Sequence, residues 1–125
     1  MNNLTINGNL TDDLVVKTYG EGKILGEFTI ANNERYNGEE RTTFLKCVMF
    51  GEKRVENLQK YLVKGCKVLL TGSLQIDRVH DEEKEYVRQY TTLIVNNLEI
   101  EKFKNEEDSK SKNYKNTKNS KYRRQ

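Results

Sequence analysis

Between Leu4 and Leu10 the chain alternates, with Leu4, Ile6, Gly8 and Leu10 on one side and Thr5, Asn7 and Asn9 on the other. Alternate side chains of an extended chain point to opposite faces, so a period of two predicts a first strand, with Gly8 as a candidate bulge. Ile24, Gly26, Phe28 and Ile30 predict the inward side of a second strand. A loop is expected around NERYNGEE, where Asn37-Gly38 is a strong tight-turn signal. The third strand is RTTFLKCVMFG, Arg41 to Gly51, with Leu45, Cys47 and Met49 facing inward. Its other face carries Phe44, Lys46, Val48 and Phe50, where a half-exposed strand ordinarily places polar groups.

The period then changes. In GEKRVENLQKYLVKG, Val55, Leu58 and Leu62 recur at helical spacing, with Glu52 and Glu56 early, Lys60 and Lys64 late, and Gly65 positioned as a cap. That charge order suits the helix dipole and predicts one amphipathic helix of about three turns. A fourth strand is expected from Lys67 to Ile76, with Val68, Leu70, Leu74 and Ile76 inward. The charged hairpin DRVHDEEKE leads to a last strand from Tyr86 to Ile100, in which Leu93, Ile94 and Val95 are apolar on both faces, as a covered outer face requires. Five strands with one helix between the third and fourth is the order of the OB-fold, an all-β, five-stranded Greek-key barrel whose outer face holds oligonucleotides or oligosaccharides.

Composition divides the chain. At 125 residues it suits one domain, and residues 105–125 contain no aliphatic side chain at all. A segment of Lys, Asn, Ser and Glu buries too little apolar surface to offset its ordering entropy, so 1–104 is expected to be the folded domain and 105–125 a disordered tail. The net charge of +3 is uneven: 1–104 carries 15 basic and 16 acidic groups, 105–125 carries 7 and 3. Attraction to a polyanion must therefore come from local patches or from the tail. No window of 18 apolar residues and no secretion-signal layout is present, which leads us to expect a soluble cytoplasmic protein. Cys47 and Cys66, with a single histidine in the chain, do not supply a structural zinc site and are expected to be reduced small hydrophobes.

Catalytic chemistry finds little footing, and no enzyme activity, cofactor or metal is expected. His80 lies in the charged hairpin beside Asp81 without a nucleophile, and YGEGK lacks the spacing of a phosphate loop and reads as a hairpin turn.

With the elements placed, the residues resemble the bacterial single-stranded DNA-binding protein family. NNLTINGNLTDD is similar to the family's N-x-V-x-L-x-G-x-L-T-x-D. EFTIANNERY continues in register with Phe28, Ala31 and Asn33; VENLQKYLVKG resembles A-E-N-x-x-x-Y-L-x-K-G; Gly72, Leu74 and Gln75 match G-x-L-Q. The resemblance covers about residues 2 to 100. It implies single-stranded DNA as partner, bound by stacking of bases on Tyr36, in the loop before the third strand, and on Phe44 and Phe50, with Lys46 between them at a phosphate. Stacking tolerates any sequence because every base has a π-face, and each stacked base is worth ~1 to 3 kcal/mol. Arg35, Arg41, Arg78, Arg88, Tyr86 and Tyr90 are further candidates for phosphate or edge contacts. The resemblance also implies a homotetramer built partly through the first strand, with a dimer as the alternative.

Three departures stand out. Val79 takes the place of a hairpin aromatic, one residue is inserted in GEKRV, and the chain ends in KYRRQ where the family has an acidic tip that recruits replication enzymes. Recruitment through that tip is therefore not expected, while the basic tail, with Tyr114 and Tyr122 interleaved, is equally consistent with extra phosphate contacts and with a solubilising extension. The function expected is sequence-independent binding and protection of single-stranded DNA in replication, recombination and repair, in a nucleoid-associated setting. The competing readings are a dimeric OB-fold replication-restart or RNA-binding protein, and an OB-type module that meets protein.

Overall fold

The computed structural model describes residues 1–83 and 86–104, with positions 81 and 86 described by backbone alone. The expected tail, 105–125, lies outside the described residues. Among the described residues six strands and one helix follow in the order β1 (Leu4–Leu10), β2 (Val15–Tyr19), β3 (Lys23–Tyr36), β4 (Glu39–Phe50), α1 (Glu52–Leu58), β5 (Lys67–Asp81) and β6 (Tyr86–Lys102). The sheet order is β1-β5-β6-β4-β3-β2, and a further β1–β3 pairing at Asn9↔Ala31 and Leu10↔Ile30 closes it. Five strands thus form the barrel expected of an OB-fold, with β2 appended outside β3 and the helix between β4 and β5.

The alternation read from sequence fills the interior. Phe28, Ile30, Leu45, Cys47, Met49, Val68, Leu70, Leu93 and Val95 are all buried in one cluster. Burial pushes the thiols of Cys47 and Cys66 up to about 12 and about 11, so both are protonated, free and inert at neutral pH.

Several expectations need correcting. The strand β2 is extra: only Val16 in it is even half-buried, so VVKTY carries no alternation to betray it. Its turn into β3, at Gly20 and Gly22 with positive φ, is the hairpin turn read in YGEGK. The helix is shorter than expected. After Leu58 the backbone turns on itself, and Leu62 O, Lys64 N and Gly65 N bond instead to Leu14 N, Asp13 Oδ1 and Leu10 O at 2.9, 2.8 and 2.9 Å. These tertiary bonds tie the segment to the β1–β2 connection at the expense of a third turn, while Leu62 still reaches the core. Gly8 marks no bulge, since the β1–β5 register is unbroken through it. It marks a close approach: a Cβ there would lie 2.7 Å from the Ala31 carbonyl oxygen. The irregularities lie instead on β5, at Lys67/Val68 opposite Glu101 of β6 and at Thr71/Gly72 opposite Asn96. Ile76, expected inside, is 54% exposed because β5 runs past the end of the barrel.

Candidate nucleic-acid interface

The β3–β4 register sorts the candidate residues by face. Leu45 lies opposite Ile30 and Cys47 opposite Phe28 on the core side, so Phe44↔Ala31, Lys46↔Thr29, Val48↔Glu27 and Phe50↔Leu25 form the outer face. Phe44 is 68% exposed and Phe50 39%, whereas Val48, between Glu27 and Ile94, is buried on that face and stands outside the core cluster. Five residues separate the two rings, six steps or roughly 20 Å of extended strand, with Lys46 between them.

The barrel closes between β4 and β6 by three parallel pairs, Lys46↔Thr92, Cys47↔Leu93 and Val48↔Ile94. Because these strands run parallel, the β3–β4 and β5–β6 hairpins emerge from the same end of the barrel. On β5–β6 the outer face continues as Gln75↔Thr92, Asp77↔Tyr90, Val79↔Arg88 and the Asp81↔Tyr86 backbone pair. Tyr90 and Arg88 are exposed on the side that carries Phe44 and Lys46, and Arg35, opposite Glu40, shares that parity. The Tyr86 side chain lies outside the described set.

Tyr36, Arg41 and Arg78 have the other parity. Tyr36 is the last residue of β3, not a loop residue as expected, since the turn is just Asn37 and Gly38 with φ of 52° and 80°. This two-residue turn with both φ positive matches the twist of the flanking strands. Tyr36 is 61% exposed, and the Arg41 guanidinium sits 5.4 Å from its ring centroid, so one face of the ring already holds a cation. Past the Asn32↔Thr43 pair both faces of the ribbon are exposed, so Tyr36 is open to solvent on the side of the hairpin opposite Phe44. Arg78, opposite Gln89, is exposed on the corresponding side of the second hairpin.

Three outer-face residues were not legible as a group in the sequence, because the strand that brings two of them together was not. Tyr19, at the end of β2, meets Phe50 edge to face with ring centroids 5.5 Å apart, so Phe50 stands braced. Lys17 of β2 and Lys46 of β4 flank Glu27 of β3, with Nζ to Oε1 distances of 2.8 and 3.8 Å. The hydrogen bond from Lys17 holds the Glu27 carboxyl below its ordinary range, aided by the charge of Lys46 and opposed by burial.

A barrel with an aromatic and cationic outer face and two hairpins at one end agrees with the comparisons. Residues 1–101 match the model of the single-strand binding protein family. This chain belongs to the single-strand binding protein family. The single-stranded DNA-binding protein of Borreliella burgdorferi is 32% identical over 104 residues, covering 80% of this chain and 69% of the relative. That of Rickettsia felis is 31% identical over 101 residues, covering 76% and 65%. The chain thus spans about two thirds of the length of these curated relatives. A solved structure described as a Plasmodium falciparum SSB complex with ssDNA superposes with a TM-score of 0.69 at 24% identity, covering 82% of this chain and 94% of that one, which shows a shared fold. Among the described residues no helix is long and apolar enough to cross a membrane.

Proposed function

We propose that this member of the single-strand binding protein family coats single-stranded DNA without sequence preference, protecting it during replication, recombination and repair. One observation carries the reading: Phe44 and Phe50 stand exposed on the same outer face with Lys46 between them, on a chain of this family. Bases stack on these rings, Tyr90 extends the surface onto the second hairpin, and Tyr36 offers its free face after the strand rounds the first. Lys46, Arg35 and Arg88, which share the outer-face parity, meet phosphates, and Arg41 and Arg78 serve the opposite sides of the hairpins. The protein acts by binding and not by catalysis. Binding only the unpaired form melts hairpins by mass action. Its setting is the cytoplasm, on the nucleoid.

Titration with oligo-dT against duplex, followed by tyrosine emission, tests the proposal; Phe44→Ala and Phe50→Ala are each expected to weaken binding by ~1 to 3 kcal/mol. Equal affinity for duplex, or no loss in either variant, overturns it.

The same reading includes a homotetramer. The strand β1 forms ladder pairs with β3 only at Asn9 and Leu10 among the described residues, so over Leu4–Ile6 its edge away from β5 pairs with no strand, and Leu4 and Ile6 there are only partly buried. Such an edge is a template for pairing with another chain. Light scattering is expected to give four chains per particle. A monomer contradicts this assembly, and a stable dimer that binds RNA and DNA equally favours the restart-type or RNA-binding alternative.

A further inference from the structure

The triad of Lys17, Glu27 and Lys46 sits in the middle of the proposed DNA path, yet one of its three members has the wrong charge for that path. Glu27 lies opposite Val48 and Val15, so the two lysines are its diagonal neighbours on the outer face, one from each flanking strand. A single oxygen, Oε1, faces both ammonium groups at 2.8 and 3.8 Å. The lysine side chains are 54% and 53% exposed and the Glu27 side chain 21%, so the cations reach solvent while the carboxylate is recessed between them. Asp12 and Asp13 line the hollow beside Glu27 and Lys46, which makes the surroundings more acidic still.

We infer that Glu27 is a built-in competitor for DNA phosphate: its carboxylate pairs with Lys17 and Lys46 in the free protein, and a bound strand draws at least one lysine away from it. The inference rests on reading the outer face as a single-stranded DNA site. The physical consequence is a lowered effective charge. Two lysines at the phosphate path count as one net cation, so both the affinity and its salt dependence are weaker than a tally of cations implies. Each phosphate contact on a single strand contributes a slope of about 0.7 in log K against log salt. Abolishing the carboxylate restores roughly one contact. Between 1 M and 20 mM salt, a slope of ~0.7 corresponds to a gain on the order of 10-fold.

The experiment uses the full chain and an oligo-dT probe across a salt series. Glu27→Gln, nearly isosteric, is expected to bind on the order of 10-fold more tightly near 20 mM salt, with a slope steeper by about 0.7 and the advantage gone near 1 M. Glu99→Gln makes the same charge change on an exposed β6 position opposite Leu69 and is expected to gain far less. Lys17→Gln leaves Glu27 to neutralise Lys46 and is expected to weaken binding by about the same 10-fold, and Lys17→Gln combined with Glu27→Gln returns close to the native affinity. Unchanged or weaker binding by Glu27→Gln, an equal gain in Glu99→Gln, or native-like binding by Lys17→Gln overturns the inference. Failure of the native chain to bind oligo-dT at low salt is a separate result, which overturns the proposed function itself.

Discussion

At the scale of single residues, the two phenylalanines of β4 differ in their surroundings. Phe44 stands opposite Ala31 and is 68% exposed, whereas Phe50 touches the ring of Tyr19. An edge-to-face pair is worth about 0.5 to 1.5 kcal/mol beyond its buried area. Phe44→Ala is therefore expected to leave the melting temperature of the free protein unchanged, while Phe50→Ala lowers it slightly as well as weakening DNA binding. Thermal unfolding without DNA checks this, and a large loss for Phe44→Ala would mean that its ring is packed and not presented. Tyr36 illustrates the limit of transferring a position by pattern. Its exposure was legible, but its pleat was not, because nothing in NERY marks where the strand ends, and β3 continues through Tyr36.

At the scale of elements, strands with one buried face were legible, since Leu4–Leu10, Ile24–Ile30 and Leu45–Met49 each announce themselves by alternation. What escaped were elements whose boundaries depend on partners distant in sequence. The outlying β2 has no buried stripe, and the last helical turn is undone by bonds to Leu10, Asp13 and Leu14, none of which the local sequence reveals. The segment GEKRV gains a role in this light. Arg54 of α1 donates from Nη1 to Asn96 O at 2.7 Å and from Nη2 to Val95 O at 3.0 Å, and Asn96 is the unpaired residue of the β5–β6 bulge at Thr71/Gly72. The guanidinium thus bonds two successive carbonyls at the bulge and fastens the helix to the sheet. Hydrogen bonds to a charged group are worth about 1.5 to 3 kcal/mol. Arg54→Met is expected to lower stability by up to about that amount in denaturant titration with little change in oligo-dT affinity, whereas a loss of affinity at unchanged stability would make Arg54 a DNA contact instead.

At the scale of the whole molecule, the barrel and the proposed DNA path share one seam. Along β5–β6 and β3–β4 the ladders run for most of the strand length, but β4 and β6 join through three residue pairs only. Closure of the ring at that point depends on few backbone bonds, and few bonds mean that local opening there takes less free energy than in the long β3–β4, β5–β6 and β1–β5 ladders. Lys46 and Thr92 stand side by side at the end of the seam from which the two hairpins emerge. A polymer laid from one hairpin to the other would bridge both strands like a stitch across a tear. Amide hydrogen exchange at Cys47, Val48, Leu93 and Ile94 is accordingly expected to slow on adding oligo-dT by more than exchange in the already well-fastened β1–β5 ladder. The cargo would then be guarding the integrity of its own carrier.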